Sequence, residues 1–493
     1  MEQAKVDSTA KLIQSLTPSE KRYLKLNVLD LNKGNNAVKL YHFYTSYIPN
    51  NDISEFPEYL TKGMNLSYEK SNLRRVILRS LRNYHENLND TSFSLNTLLD
   101  IEILFNRKLY DDALSIIDKM LKITTEMELF VQKLEYLLWY RKLLIRKGDY
   151  ATLSKRADFL EAEINDCFKK IQNLNDYRCI QSKLLGIISK SGVLISDEAT
   201  SELKNIIKHS LLSDEKNALS FNAKCHFYEA WGWYYKLTLQ PKKSLSISEN
   251  FITFLEENFE KTIQYPQIYF SALSNYVTRC TSLNKYDQAL KGIEKLKSIT
   301  TIKGLKIDDS LKVTVTAFAL ERKLTIHTYT HDFKEAIALF EEVKLFIKKN
   351  GEATHLTFKN VTRIFTSISY FHLADYKAAL TLIREMFDDK SDNQRYDNYL
   401  YAHLLQILIH YEMGNFRLIP YLVKAAKHFC KSKKFNEKSI PLFMELISRL
   451  TKATTEKEKL KMKAENLAIF KTLNNNENTI FETLSLDLWF AKK

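Results

Sequence analysis

The chain has 493 residues and a net charge of +14, with 45% hydrophobic and 27% charged residues. Because these fractions match globular averages of about 45–50% and about 25%, composition excludes a disordered chain. Glycine (10) and proline (7) are rare, which predicts long helices with short connections, since sheets and long loops use both residues at their turns.

Residues 1–90 are predicted to form an N-terminal helical region. Thr17, Pro18 and Glu20 are typical of a helix start: a capping hydroxyl, a proline at the first helical position and an acid that completes a capping box. A later helix of about 20 residues, opening at Ser67, has an apolar face and a separate stripe of three arginines. The stripe consists of Arg75, Arg79 and Arg82.

This arginine stripe supports two interpretations. It could contact a nucleic acid or an acidic protein, as the recognition helix of a helix-turn-helix does. It could instead be the solvated face of an ordinary amphipathic helix, which is the interpretation we favour. The whole region carries only +3, from 13 Lys and Arg against 10 Asp and Glu.

From residue 91 to 430 a short phrase recurs, an aromatic residue followed three positions later by alanine. It begins at Tyr110, Tyr286, Phe333 and Tyr376, and two weaker copies after Gly148 and Gly414 carry Leu153 and Ile419 instead of alanine. Each copy is predicted to open the second helix of an antiparallel hairpin. Alanine lets the two backbones approach, and the aromatic ring fills the space beside the next hairpin. A preceding glycine or asparagine would end the first helix in the left-handed conformation.

This phrase resembles the turn and second helix of the tetratricopeptide repeat, and Trp231-Gly232 resembles part of its first helix. The period differs, at 40–47 residues between successive aromatics, and the closing proline of that family is missing. The resemblance implies an all-α fold, a right-handed superhelical α-solenoid of degenerate long repeats. It also implies a concave groove lined by the first helix of each hairpin.

Two pairs of polar residues lie on predicted first helices, Asn275 with Arg279 and Asn360 with Arg363. An amide beside a guanidinium could hold the carboxylate of a peptide, so we regard these four residues as groove candidates. Asn275 lies 11 residues before its aromatic and Asn360 lies 16 before, so the pairs do not reproduce the carboxylate clamp of the family.

Residues 431–493 are predicted to form a basic C-terminal helical cap. Most of the positive charge collects here, since residues 417–471 hold 14 Lys and Arg against 5 Asp and Glu. Four lysines at helical spacing form a stripe, Lys424, Lys427, Lys431 and Lys434. The opposite, buried face is predicted to comprise Leu418, Leu422, Ala425 and Phe429. The stripe could track phosphates or an acidic tail, or could simply solubilise the end of the array.

Motifs for chemistry are absent: the chain has no glycine-rich phosphate loop, no zinc-binding H-E-x-x-H and no nucleophile elbow. His327 and His331 have metal-ligand spacing, but they are predicted to straddle a turn, and Cys225 beside His226 has poor geometry for a catalytic dyad. We therefore expect no enzyme activity, no cofactor and no metal. Five scattered cysteines, no apolar stretch of about 18 residues and no secretory signal predict a cytoplasmic protein outside the membrane.

The favoured function is a non-catalytic scaffold or adaptor that binds a protein or peptide in its groove. One alternative is an RNA- or ribosome-associated factor that uses the lysine stripe. Another is a peptide-sensing regulator with residues 1–90 as its output module. Trp489 and Phe490 are apolar enough to dock back onto the repeats or onto a second copy of the chain.

Overall fold

A computed structural model describes residues 7–26, 36–47, 65–85, 90–191, 197–238, 240–302, 305, 307–351, 355–389, 396–433, 435, 437–473 and 478–491. Over these residues the chain forms 24 α-helices and no strand, so the predicted all-α class is confirmed. Contacts between Cα atoms divide the chain into two compact units, Met1–Asp176 and Tyr177–Lys493. This boundary falls inside the predicted repeat region of residues 91–430.

The first unit begins with a small bundle of four helices. They are α1 (Ser8–Ser15), α2 (Pro18–Leu24), α3 (Asn36–Tyr47) and α4 (Leu66–Tyr84). The predicted capping box is present, because the Thr17 side chain accepts the Glu20 amide and the Glu20 carboxylate accepts the Thr17 amide. Helix α4 starts one residue before the predicted Ser67, since Asn65 caps it by accepting the Tyr68 amide at 3.1 Å.

Four longer helices follow in chain order. They are α5 (Asp90–Asn106), α6 (Tyr110–Glu126), α7 (Phe130–Lys147) and α8 (Tyr150–Ser191), and the unit boundary lies within α8. Helix α6 packs on both α5 and α7. The hairpin predicted at Tyr110 is therefore present.

The second unit contains the remaining helices. They are α9 (Asp197–Ile207), α10 (Phe221–Leu237), α11 (Pro241–Glu257), α12 (Phe259–Thr262), α13 (Pro266–Ser282), α14 (Tyr286–Ser298), α15 (Asp309–Tyr329), α16 (Phe333–Asn350), α17 (Leu356–His372), α18 (Tyr376–Asp388), α19 (Tyr396–Glu412), α20 (Ile419–Lys433), α21 (Ser439–Leu450), α22 (Glu456–Thr472), α23 (Thr479–Thr483) and α24 (Leu486–Ala491). Helices α13 to α20 form four hairpins, each made of an odd-numbered first helix and an even-numbered second helix. The first helices α13, α15, α17 and α19 also pack against one another in that order.

One turn geometry recurs at every predicted hairpin. The residue two positions before the aromatic is left-handed in each case, at Lys108, Gly148, Asn284, His331, Ala374 and Gly414. The following amide donates to the carbonyl five residues earlier at 2.8 to 3.0 Å, the bond that closes a Schellman motif. Glu128, before Phe130, adds a seventh turn of the same kind that carries no alanine and was not predicted.

The prediction that glycine or asparagine supplies the left-handed residue is therefore wrong at Lys108, His331 and Ala374. A residue with a Cβ atom loses about 1–2 kcal/mol in this conformation. The turn tolerates that loss because its amides satisfy carbonyls that the end of the first helix would otherwise leave unpaired.

The repeated alanines occupy the predicted tight contact. Ala113, Ala289, Ala336 and Ala379 each have no measurable exposure. The aromatic before them behaves in two ways. The rings of Tyr286 and Phe333 reach the next hairpin, 6.5 Å from Tyr329 and 4.8 Å from His372, as predicted. Those of Tyr110, Tyr376 and Phe416 pair instead with a ring five residues earlier in their own hairpin.

Helix α20 differs from the prediction in the face that it buries. Its buried residues are Ile419, Val423, Ala426 and Cys430, one position on from the predicted Leu418, Leu422, Ala425 and Phe429. The reason is the repeat register: Ile419 occupies the position of the alanine, and the buried stripe follows from it at intervals of four, three and four residues.

Candidate binding pocket

A cavity of about 580 Å³ opens on the side of the second unit formed by the first helices. Helices α13, α15, α17 and α19 each contribute to its lining, and the turns before α14 and α16 complete one end. The remaining wall comes from residues 479–491, which include α23 and α24 and are named the closing segment below. The volume is in the range of about 300–1,000 Å³ that small-molecule sites occupy.

Aromatic rings line one side of this pocket. Tyr286 stacks on Tyr329 with ring centroids 6.5 Å apart, and Tyr329 meets the edge of Phe365 at 5.4 Å. The three rings belong to three successive hairpins and form a continuous aromatic wall, although they occupy different positions in the repeat. On α19, the hydroxyl of Tyr401 lies 3.4 Å from that of Thr479 and ties the wall to the closing segment.

Charge in the pocket is mainly negative. Asp397, Glu482 and Asp487 line it, against one guanidinium, Arg322. Arg322 pairs with Glu321 at 2.7 Å within α15, which offsets its charge, but its buried Nε has no hydrogen-bond partner among the described residues. Burial raises the pKa of Glu482. Burial, the neighbouring Tyr329 hydroxyl and the charge of Glu482 together raise the pKa of Tyr286 to about 12.

Two side chains in the lining have polar groups without a hydrogen-bond partner in the described part of the chain, Arg322 at its buried Nε and Asn398. Asn398, on the first turn of α19, is only 3% exposed and makes no hydrogen bond to any residue in the described part of the chain. Buried amides are nearly always satisfied by protein or water. An unsatisfied amide at a cavity wall therefore marks a position where a bound molecule would gain a hydrogen bond.

The closing segment is anchored at three points. Both Thr479 and the amide of Ile480 donate to the carboxylate of Glu437, at 2.7 and 3.2 Å. The carbonyl of Leu484 lies 3.0 Å from Nε2 of His372. Trp489 has no exposed surface and donates to Glu412 at 2.7 Å. Docking of Trp489 and Phe490 onto the helical array, one of the two sequence-based expectations, is thus confirmed.

The predicted groove residue Arg279 does not line this pocket. Its guanidinium donates to Ser244 at 2.6 Å and to the carbonyl of Gly232 at 3.3 Å, bridging α10 and α11. Burial lowers the pKa of Arg279 to about 10. These bonds commit two of the five N–H donors of the guanidinium to α10 and α11. Asn275 is half-buried and also lies outside the pocket lining.

Asn360 and Arg363 are brought together, at 3.4 Å, but away from the pocket. Asn360 is buried and donates to Tyr399 at 2.9 Å. Arg363 pairs with Asp389 and, at 3.2 Å, with Glu385, and it lines a separate cavity beside α16 and α18. Asn360 thus connects α17 to the next hairpin, whereas Arg363 connects α17 to α18 within its own hairpin. On α17 the pocket is lined instead by residues from the neighbouring face.

The two basic stripes are exposed. Lys424, Lys427 and Lys431 form no ion pair with a described residue, and Lys434 lies outside the described residues. Arg75, Arg79 and Arg82 project from α4 in the same way, apart from a hydrogen bond from Arg75 to Asn72. Residues 48–64, which would contain the turn of a helix-turn-helix before α4, lie outside the described residues.

The histidine pair takes the arrangement expected of a turn. His327 lies in the last turn of α15, whereas His331 follows the end of that helix in the left-handed conformation. In the part of the chain that the structure describes, no three His, Cys, Asp or Glu side chains group together as metal ligands. Within the same residues no helix combines the length and apolar character needed to cross a bilayer.

Comparison with protein families, curated proteins and solved structures finds no match to this chain.

Proposed function

We propose that the protein is a non-catalytic scaffold or adaptor that binds a protein or peptide partner through the pocket on its first helices. In this proposal the hairpins stack as tetratricopeptide-like repeats in a right-handed α-solenoid, and the first helices line its concave face. The five free cysteines suit the reduced interior of the cytoplasm.

The pocket carries this proposal. Four successive first helices contribute to one cavity, so an extended segment could contact several hairpins at once. The aromatic wall supplies rigid apolar area, and the unpaired amide of Asn398 supplies a polar contact that is not used within the chain. A preformed surface of this kind loses little conformational entropy on binding.

A pair of matched variants tests the proposal. Thr278 lines the pocket and donates to the carbonyl of Ser274 at 2.8 Å, whereas Thr316 makes the same bond to Lys312 at 2.9 Å on the exposed side of α15. Thr278→Trp should fill the pocket, and Thr316→Trp should leave it open.

In pull-downs with the purified full chain, a partner of the pocket should be captured by the wild type and Thr316→Trp and lost with Thr278→Trp. Circular dichroism is measured to check that both variants are folded. Capture that is identical with all three proteins, or no specific capture, would refute binding through this pocket.

A second candidate function is binding of RNA or the ribosome through α20. The observation in its favour is that Lys424, Lys427 and Lys431 are exposed and make no ion pair to a described residue. If each contacts a phosphate of single-stranded RNA, the logarithm of affinity should fall with the logarithm of salt concentration with a slope near −2. Changing all three to glutamate should abolish binding in a filter or anisotropy assay, and unchanged binding would exclude this function.

A further inference from the structure

We propose that the pocket recognises a cationic group, the ammonium or guanidinium of a lysine or arginine side chain in the partner. The inference rests on the proposed function and specifies the chemistry of its ligand. The net charge of +14 alone would predict an anionic ligand, so the inference depends on the local charge of the pocket.

The lining of the pocket carries more negative than positive charge. Three carboxylates, Asp397, Glu482 and Asp487, face the cavity, and the single guanidinium there is ion-paired with Glu321 through one terminal nitrogen, while its buried Nε has no acceptor among the described residues. Glu482 and Asp487 make no ion pair with a described residue, although the chain holds 73 Lys and Arg. Electrostatic interactions are screened over about 8 Å at physiological salt. A ligand inside the cavity therefore responds to these nearby acids more than to distant lysines.

The carboxyl of Glu482 is partly shielded from water. The surrounding protein removes enough water to raise the pKa of its carboxyl, and no neighbouring cation offsets this effect. Two partly buried acids of the first unit, by contrast, are paired: Glu20 with His85 at 2.6 Å, and Asp7 with Lys70 at 2.8 Å. An acid that is desolvated and unpaired at a cavity wall gains most from a cation that arrives with the ligand.

The remaining walls fit the same ligand. Tyr286 and Tyr329 present electron-rich ring faces next to the acids, and such faces attract ammonium and guanidinium groups within about 6 Å. The side-chain oxygen of Asn398 is an unused acceptor, and both cationic groups are donors only. The three kinds of contact, ionic, cation–π and hydrogen-bonding, converge on one cavity from α14, α15, α19 and the closing segment.

Peptide pools provide the test. Acetylated, amidated heptapeptides, randomised at six positions and fixed at the centre as Arg, Lys, Gln or Glu, are immobilised and probed with the labelled full chain. The Arg and Lys pools should bind, and the Gln and Glu pools should bind at least about tenfold less, as expected for loss of a charge-assisted contact. The best peptide is then titrated by fluorescence anisotropy. Spermidine is titrated as the free-amine probe.

Variants then assign the binding to these residues. The double change Glu482→Gln and Asp487→Asn removes both exposed charges without changing shape, and Asn398→Ala removes the amide. Each should weaken the Arg peptide by about tenfold. Glu335→Gln is the matched control, because Glu335 is an exposed acid outside the pocket lining. It should leave the affinity unchanged.

The outcomes separate this inference from the proposed function. If Gln and Arg peptides bind equally, and the acid variants match the wild type, cation recognition is refuted while peptide binding stands. If spermidine binds in an acid-dependent way and no pool does, the cationic chemistry is supported and a peptide partner is refuted. If neither the pools nor spermidine bind, both proposals fail.

Discussion

Replacing the buried Trp489 tests directly whether this residue anchors the closing segment to the pocket. Trp489 has no exposed surface, and its indole N–H donates to Glu412 at 2.7 Å. Truncating a buried tryptophan to alanine loses about 3–5 kcal/mol. At about 1.4 kcal/mol per decade, the closing segment of Trp489→Ala should open roughly 100- to 3,000-fold more often.

Hydrogen exchange read by mass spectrometry measures this opening directly, in peptides that cover residues 479–491. Trp489→Phe keeps most of the apolar burial and loses the hydrogen bond to a carboxylate, so it should lie between the alanine variant and the wild type. Leu488→Ala, at a half-buried neighbour on the same helix, is the control and should accelerate exchange far less. If Trp489→Ala behaves like this control, the indole does not anchor the segment. If exchange rises equally throughout the second unit, the segment does not open on its own.

Four further predictions concern stability in the second unit, each measured by urea unfolding followed by tryptophan fluorescence. Gly292→Ala should destabilise by up to about 2 kcal/mol, because its new Cβ would lie 2.8 Å from a buried valine methyl and overpacking outweighs helix propensity. Gly186→Ala, with nothing within 4 Å, should stabilise by about 0.5–1 kcal/mol. Ala374→Gly should stabilise by about 0.5–1 kcal/mol, since it relieves a left-handed alanine at φ 62°. Burial raises the pKa of Glu482, so its contribution is present below its ordinary pKa and is lost as pH rises through the folded value. Glu482→Gln should therefore match the wild type at pH 4 and be more stable at pH 7, and the reverse order would contradict the assigned environment.

The hairpins and their turns were predictable because the signals are local. An aromatic residue and an alanine three positions apart mark the start of a second helix, and the turn lies immediately before them. The turn at Glu128 was not predicted because Lys133 occupies the position of the alanine. Left-handed lysine, histidine and alanine were unpredictable for another reason: the hydrogen bonds that compensate for the strain come from the backbone, which every residue shares.

The pocket was largely beyond prediction. Its lining runs from Thr278 to Asp487 and joins residues with no common pattern in the sequence. The sequence identified the first helices but not which of their faces would line a cavity, so Arg279 and Arg363 were chosen from faces that contact other helices. Trp489-Phe490 was the single local signal that a distant segment would pack there.

Protein synthesis runs from the N-terminus, and the wall supplied by residues 479–491 follows Thr278 by about 200 residues. At about 5–20 residues per second the ribosome needs roughly 10–40 s to make that stretch. For this interval the nascent chain has the aromatic face of its first helices without the segment that covers them. Chaperones that shield apolar surface are therefore expected to bind the growing chain after α17 emerges. They are expected to dissociate once Trp489 is buried.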